Sequence, residues 1–336
     1  MSPMVGVASD MRARAVHLFA VWNLLLLLLL LIVVFAVLKG DTFLTAFTFQ
    51  SMVSTRSINA LVALAVMIPL ASNNYDLSAA SVLGISQVLA NGLQTQQHLG
   101  WSIAALLCVL LGALVGWING VLVTRAGINS FIATLGSGTF LLGVNQWYTG
   151  GRQVVGILPR SFTMIAARID GTGIPAPLIY VLVVAVALWI VFEYLPLGRF
   201  LYVIGDSPRA AELSGISVQR YVTLAFTASG VLAAFAGVVL QAQLQVGQST
   251  VGQELMLPAF TGALLGATAI RPGRPNVWGT VLAVAVLAVA VAGLTQLGAP
   301  FFVESLFNGA MLVLAVGLAV ATHRRREQRR VAATRT

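Results

Sequence analysis

The stretch LGRFLYVIGDSPRAAELSGISVQRY, residues 197–221, is the longest polar interruption in the C-terminal two thirds of an otherwise apolar chain. Ser207 can cap a helix N-terminus, because its hydroxyl can accept from a free backbone N–H of the first turn. Pro208 then takes the first helical position, where its missing N–H costs nothing, and Gly215 can adopt the left-handed conformation that ends a helix. The pattern predicts one short surface helix of about two turns. Such a helix is much too short to cross a bilayer, which takes roughly 20 apolar residues. Its small residues, Ala210 and Ala211, would let a partner approach closely.

The composition is that of a polytopic membrane protein. The chain has 336 residues, of which 58% are hydrophobic and 9% charged, whereas soluble domains have about 25% charged residues. The formal charge of +9 does not indicate nucleic-acid binding, because the arginines lie at the termini and in short loops. That distribution is typical of topology signals and of contact with anionic membrane lipid. The single cysteine, Cys108, excludes an intrachain disulfide.

Apolar runs predict an all-α membrane helical bundle with about ten spans and both termini in the cytoplasm. The spans lie near 16–38, 57–72, 76–91, 101–123, 128–147, 176–195, 220–240, 254–270, 276–296 and 301–321. In this topology 14 of the 19 Lys and Arg side chains fall on the inner side, as the positive-inside rule requires. The predicted domains are a cytoplasmic segment 1–15, a transmembrane domain 16–321 containing the polar loop 197–220, and a basic cytoplasmic tail 322–336.

The longest outer loop, residues 148–175, contains several Gly and Pro residues. It could form a structured cap or serve only as a connection. Elsewhere, glycines recur at four-residue spacing, as in Gly112, Gly116 and Gly120, a pattern that lets membrane helices pack closely.

No catalytic motif and no metal-ligand spacing occur in the sequence, and the G-x-x-x-x-G-K-[ST] phosphate loop is absent. Charge is nearly absent from the predicted spans, with Asp76 placed in the break between the second and third. Uncharged polar groups suit a neutral, hydroxylated solute, although such groups also hold helices together. The predicted substrate path consists of Asn73, Asn74, Tyr75, Asp76, Asn119, Phe131 and Thr134.

Three separated blocks within residues 55–320 resemble the permease subunits of ribose-type ABC sugar importers and follow the family's order. The middle block is similar to the family's coupling-loop signature through Gly205, Ala210, Ala211, Ser214, Gly215 and Ile216. The block before it, Gly116–Val144, matches through Asn119, Gly120, Phe131, Ile132, Thr134, Leu135 and Gly136. The third, Pro258–Thr280, matches through Leu265, Gly266, Gly273, Arg274 and Gly279.

The resemblance implies a multi-pass inner-membrane permease that imports a monosaccharide or similar solute and is not itself an enzyme. ATP and Mg²⁺ would bind to separate ABC ATPase subunits. A second permease chain, identical or a sister, would complete the pathway, and an extracytoplasmic sugar-binding protein would deliver the solute. The ATPase would dock on the segment Gly205, Asp206, Ser207, Pro208, Arg209, Ala210, Ala211, Glu212, Leu213, Ser214 and Gly215.

The chain departs from this family at the second-to-third span break. Asp76, Leu77 and Ser78 are kept there, but the family's flanking glycines are replaced by Asn74 and Ala80. The departure lies near the predicted path and indicates an unusual substrate. Two alternatives remain open from the sequence: a secondary carrier or channel for a neutral solute, which needs no coupling helix, and a membrane-embedded enzyme, which needs a buried catalytic set.

Overall fold

The computed structural model describes the backbone of residues 4–169 and 171–333, and the side chains of residues 21–169 and 171–317. This part of the chain forms thirteen α-helices and one 3-10 helix, with no strand beyond two isolated β-bridges. The predicted all-α class is therefore confirmed. The α-helices are α1 (Met4–Phe43), α2 (Ala46–Leu70), α3 (Ser78–Thr95), α4 (Trp101–Thr124), α5 (Ser130–Thr149), α6 (Arg160–Thr163), α7 (Ala176–Glu193), α8 (Pro196–Asp206), α9 (Pro208–Leu213), α10 (Val218–Leu244), α11 (Val251–Gly266), α12 (Val277–Gln296) and α13 (Phe302–Ala333).

Each of the ten predicted spans coincides with one of the long helices. Among the residues whose side chains are described, six of them, in α1, α2, α4, α7, α10 and α12, are long and apolar enough to cross a membrane. The others are shorter or more polar over that part of the chain. With 16 residues, α11 is about 24 Å long at about 1.5 Å per residue, against a hydrocarbon thickness of about 30 Å. The structure thus shows a membrane helical bundle, while the count of ten spans stays a prediction. The first three and last three residues of the predicted terminal segments lie outside the described residues, as do the side chains of both segments.

Contacts between helix ends fall into two groups at opposite ends of the bundle. At the first end the polar pairs are Thr42–Gln296, Arg56–Glu304, Ser54–Gln243 and Gln97–Tyr148. At the second end the pairs are Val21–Ile270, Glu193–Arg271, Asp206–Arg274 and Thr124–Thr223. Successive long helices begin in one group and end in the other, so that neighbours along the chain run antiparallel.

The helix at the centre of the bundle is α2. Its C-terminal half, Ser57–Leu70, is buried on every face, because α7, α10, α11 and α12 all pack around it. A helix that is apolar on all sides belongs in such a core. The helix also begins earlier than the predicted span, at Ala46, where the Thr45 hydroxyl accepts from the Thr48 N–H at 3.2 Å.

Glycines bring α4 and α10 into direct backbone contact. A Cβ atom added at Gly112, Gly116 or Gly120 would collide with the α10 backbone between Thr223 and Gly230. The predicted packing role of this glycine series is therefore confirmed. Close approach of this kind stabilises the helix pair by van der Waals packing, because the hydrophobic effect does not favour helix association in lipid.

The described part of the outer loop, residues 148–169 and 171–175, forms a folded cap rather than an open connection. The cap contains α6 and the 3-10 helix Met164–Ala166. Its anchor is Phe162, which is fully buried and lies beside Trp101 with ring centroids 6.3 Å apart. An isolated β-bridge between Val154 and Gly247 ties the cap to the connection between α10 and α11. The first end of the bundle is thus covered by structured chain.

Candidate functional site

The polar segment 197–221 contains two helices, where the sequence predicted one. The helix that was not predicted, α8, begins with Pro196 at its first position and buries Gly198, Leu201 and Ile204. The spacing Leu197, Leu201 and Ile204 is the four-and-three pattern of an amphipathic helix, and that pattern was the signal for α8. Polar residues between these positions concealed it.

The predicted short helix is α9, and its caps are those expected from the sequence. The Ser207 hydroxyl accepts from the Ala210 N–H at 3.3 Å, and Pro208 occupies the first position. Gly215 has φ +79. The Gly215 N–H donates to the Glu212 carbonyl at 2.9 Å and the Ile216 N–H to the Ala211 carbonyl at 3.0 Å. This pair of bonds is a Schellman motif, which satisfies the last carbonyls of a helix and fixes the exit of the chain.

One residue of α9 is not on the surface that the sequence predicted. Ala211 is fully buried and packs with Ile204, Val222 and Phe226. Ala211 is therefore the residue that anchors α9 to α8 and α10, and it is not available to a partner in this conformation. The exposed surface of α9 and its C-cap consists of Pro208, Arg209, Ala210, Glu212, Leu213 and Ser214. Leu213, at 81% exposure, is the most prominent apolar side chain on it.

The segment before α9 is tied to the rest of the bundle. Asp206 accepts from Arg274 at 2.9 Å, and the Tyr202 hydroxyl donates to the Pro275 carbonyl at 2.7 Å. The Arg274 guanidinium also lies 5.6 Å from the centre of the Tyr202 ring. A Cβ at Gly205 would collide with the Ala71 carbonyl at the end of α2. The segment that leads into α9 is thus in direct contact with the α11–α12 connection and with the end of α2.

The break between α2 and α3 is held by hydrogen bonds to three other helices. Within it, the Asp76 carboxylate is 1% exposed. It accepts from the Ser78 hydroxyl at 2.6 Å and from the Ser229 hydroxyl of α10 at 2.7 Å. The Asn119 amide of α4 donates to the Ser78 hydroxyl at 2.8 Å, and the Leu77 N–H donates to the Thr134 hydroxyl of α5 at 3.1 Å.

The sequence placed Asp76 in the break between two predicted spans, and the structure buries its carboxyl group inside the bundle. A chain break normally lies in water, but the Ser78 and Ser229 hydroxyls donate to this carboxyl group inside the protein, as a buried polar group requires.

The structure brings together only some of the predicted path residues. Asp76 and Asn119 share the Ser78 hydroxyl, and Tyr75 joins Thr134 through its carbonyl at 3.0 Å. Asn73 is exposed with φ +58, Asn74 bonds locally to Ser72, and Phe131 lies exposed on α5. The buried members hold helices together, so direct contact with a solute requires their bonds to open. Their place in a path stays a prediction.

A buried amide cluster was missed from the sequence. The Gln87 amide of α3 and the Gln241 amide of α10 lie 2.7 Å apart, both fully buried. Gln87 also donates to the Val246 carbonyl at 2.5 Å and accepts from the Gln248 N–H at 3.1 Å. The cluster holds the α10–α11 connection against α3. It could not be recognised from the sequence, because its residues are far apart in the chain and meet only in the folded protein.

Comparison with known proteins identifies the kind of chain. The model of a family described as the branched-chain amino acid transport system permease component matches residues 48–316. The ribose import permease protein of Bacillus subtilis (strain 168) is 30% identical over 279 residues, which cover 82% of this chain and 85% of that protein. The autoinducer 2 import system permease protein of Escherichia coli (strain K12) is 33% identical over 270 residues, 79% of this chain and 81% of that protein. The protein of the same name from Shigella flexneri has the same identity and coverage. No solved structure matches this chain.

The match to the family spans nearly all of the long helices, from α2 to the apolar part of α13. This match argues against the alternative of a membrane-embedded enzyme. It also favours the permease of an ABC importer over a secondary carrier that works alone. The chain belongs to the family of branched-chain amino acid transport permease components, which are the membrane subunits of ABC importers and leave ATP hydrolysis to a separate subunit.

Proposed function

We propose that this chain is the permease through which an ABC importer moves a monosaccharide, or a similar neutral hydroxylated solute, into the cytoplasm. Two observations support a sugar-like solute over an amino acid. The relatives are import permeases for ribose and for autoinducer 2. The path residues are uncharged apart from Asp76, and that carboxylate is already engaged by Ser78 and Ser229. A zwitterion would need charged partners, which these residues do not offer.

The proposed topology has ten spans in the inner membrane, with both termini in the cytoplasm. The grouping of helix ends supports it, because the end that carries Arg125, Arg199, Arg220, Arg271 and Arg274 is also the end at which α1 begins and α13 finishes. With the terminal segments included, that side has 14 of the 19 Lys and Arg residues and is the arginine-rich one. The positive-inside rule places such an end in the cytoplasm. The domains proposed are the segment 1–15, the permease domain 16–321 and the basic tail 322–336.

The proposed contact with the ATPase is the exposed face of α9, whose capped, anchored geometry is the observation that carries the assignment. Capping at both ends makes α9 rigid, and Leu213 gives it an apolar tip between Glu212 and Ser214. A rigid helix with one apolar tip fits a surface groove. ATP and Mg²⁺ bind only to the ATPase subunits in this proposal.

Motion of α9 reaches the bundle by two routes. The Asp206–Arg274 ion pair and the Tyr202–Pro275 hydrogen bond connect it to α11 and α12. The close contact of Gly205 with Ala71 connects it to the end of α2, next to the break that holds Asp76. ATP-driven closure of the ATPase pair would thereby shift the helices around the predicted path.

Two further partners complete the proposed importer. A second permease chain would cover the outward face of α5, where Leu135, Phe140 and Trp147 are exposed. An extracytoplasmic binding protein would dock at the opposite end of the bundle from α9, where the cap of residues 148–175 lies.

Photo-crosslinking from one introduced cysteine at a time tests the docking site. Leu213→Cys places a reactive group on α9, whereas Leu44→Cys, also exposed, places it at the opposite end of the bundle. The native Cys108 is buried and gives the labelling background. With the ATPase encoded beside this gene, we expect crosslinks from position 213 and none from position 44. Equal crosslinking from both positions, or none from 213 in an assembled complex, would reject α9 as the docking site.

ATP-dependent uptake into proteoliposomes tests the solute class. The assay compares radiolabelled neutral monosaccharides with branched-chain amino acids, using the complete complex and its binding protein. Uptake of amino acids alone would reject the sugar proposal and leave the permease assignment intact.

A further inference from the structure

A cleft of about 340 Å³ lies at the arginine-rich end of the bundle, where α7, α8 and the α11–α12 connection meet. It is separate from the exposed face of α9 and from the predicted path. Three arginines line it together with one acidic, one tyrosine and two apolar side chains: Phe192, Glu193, Arg199, Tyr202, Val203, Arg271 and Arg274.

Cationic groups outnumber anionic ones at this cleft. Arg271 donates to Glu193 at 2.6 Å and Arg274 to Asp206 at 2.9 Å. Arg199 donates to the Glu193 backbone carbonyl at 3.2 Å, so no acidic side chain is bonded to it through that contact. Each guanidinium carries five N–H donors, and these named bonds use one donor on each. The cleft therefore combines an excess positive charge with fork-shaped donors suited to the oxygens of a phosphate.

Aromatic side chains mark the depth of the cleft in the membrane. Trp189 and Tyr194, near the end of α7, pack edge to face with ring centroids 5.3 Å apart, and Tyr194 is 59% exposed. Trp189 is half-buried, so Tyr194 is the exposed member of the pair. An exposed Tyr beside a Trp at the end of a spanning helix indicates the level of the lipid headgroups. Glu193 lies between them in sequence, so the cleft is at that level.

An apolar stripe leads along α7 to the cleft. Val186, Ile190 and Glu193 are spaced by four and three residues and so share one face of the helix. Val186 and Ile190 are exposed, as are their neighbours Leu182 and Val183. Only 22% of the α7 span is buried inside the protein. A lipid whose headgroup enters the cleft can lay its acyl chains along this stripe.

We propose that the cleft binds the phosphate headgroup of an anionic phospholipid, with its acyl chains on the outward face of α7. Basic pockets between membrane helices are suited to such headgroups. The topology proposed above decides which leaflet supplies the lipid, whereas the binding itself does not depend on that topology. The bound phosphate would lie next to Arg274 and hence beside the Asp206–Arg274 contact that leads to α9.

Native mass spectrometry of the full chain in an uncharged detergent tests this site. The probes are phosphatidylglycerol and phosphatidylcholine of equal chain length. The variant is Arg199→Gln with Arg271→Gln, and the matched control, Arg125→Gln with Arg220→Gln, removes the same charge from exposed arginines outside the cleft. We expect wild type and control to retain phosphatidylglycerol, and the cleft variant to bind it at least about tenfold more weakly. Phosphatidylcholine should bind weakly throughout.

Other outcomes would overturn the proposal. Equal losses in the two double variants would indicate general attraction to a basic surface. Inorganic phosphate that binds in a cleft-dependent way, without retention of phosphatidylglycerol, would indicate a soluble anion. Loss of ATPase association in the cleft variant, with lipid binding unchanged, would make the cleft part of the protein interface. Equal melting temperatures of the two variants verify that the comparison is between folded proteins.

Discussion

Asp206, the last residue of α8, and Arg274, in the connection between α11 and α12, form an ion pair of 2.9 Å across 68 residues of sequence. Both side chains are more than two fifths exposed, at 47% and 43%. An exposed pair contributes about 0–1 kcal/mol to stability. This pair therefore matters for the parts of the protein that it connects rather than for the free energy of folding. It joins the segment that carries the proposed docking helix to the helices beyond it.

Reversing this pair tests whether it transmits motion. Asp206→Arg should lower solute uptake per ATP hydrolysed, because two like charges then face each other, while the melting temperature changes little. The double variant Asp206→Arg with Arg274→Asp should recover at least part of the uptake. Uptake and ATP hydrolysis are measured together in proteoliposomes. A single variant with an unchanged transport ratio would show that the ion pair transmits nothing.

Two substitutions on α9 separate anchoring from docking. Ala211→Arg forces a large charged side chain into the contact with Ile204 and Phe226, and should destabilise the chain by at least about 3 kcal/mol. Leu213→Arg changes an exposed tip and should leave the melting temperature of the isolated chain unchanged while it weakens co-purification with the ATPase. Similar melting temperatures for both variants would contradict the buried position of Ala211.

Gly215 provides a test of the exit from α9. Its φ of +79 costs a residue with a Cβ atom about 1–2 kcal/mol. Gly215→Ala should weaken association with the ATPase by loosening the helix, whereas Gly215→Asn, which tolerates this conformation, should lose less. Binding is compared by titration of the purified ATPase. Equal losses for Ala and Asn would mean that backbone conformation is not the cause.

The carboxylate of Asp76 is predicted to stabilise the break between α2 and α3. Asp76→Ala leaves the hydroxyls of Ser78 and Ser229 without their acceptor, which costs about 1–3 kcal/mol for each unsatisfied buried group. Asp76→Asn keeps one acceptor oxygen and should lose less. Thermal unfolding in detergent measures both. A stable Asp76→Ala variant that has lost only transport would instead give Asp76 a direct part in the path.

The contact of α4 with α10 should not tolerate a side chain. Gly116→Leu would push the helices apart at Phe226 and should prevent stable folding in the membrane. Gly136→Leu, at an exposed position where nothing lies within 4 Å of an added Cβ, is the matched control. Expression yield and size-exclusion profile distinguish the two, and a well-folded Gly116→Leu protein would contradict this packing.

Local features of the candidate site followed from the sequence. Ser207, Pro208 and Gly215 define the ends of α9 through bonds to near neighbours, so their roles can be inferred without the fold. The burial of Ala211 could not be inferred from the sequence, because it depends on contacts with Phe226 and Val222 of α10. The helix α8 was missed because its charged residues concealed a narrow apolar face.

Long-range polar contacts were equally hidden. The interior position of Asp76 depends on Ser229, 153 residues away in the chain. Arg274 was noticed only as part of a family block, although the fold makes it the partner of Asp206. Hydrophobic runs located the helices, but they carry no information about which polar groups meet between them.

The buried amides of α3 have a consequence for how the protein is made. Gln87 and Asn91 are fully buried, and α3 is too polar to count among the spans that can cross a membrane by length and composition. Gln241, the partner of Gln87, is synthesised 154 residues later. Until α10 and the connection after it leave the ribosome, the Gln87 amide lacks its partners Gln241 and Val246, and lipid offers no substitute. The N-terminal half of the bundle therefore cannot complete its assembly before α10 is made, and a chain truncated before α10 should be retained by the insertion machinery or degraded.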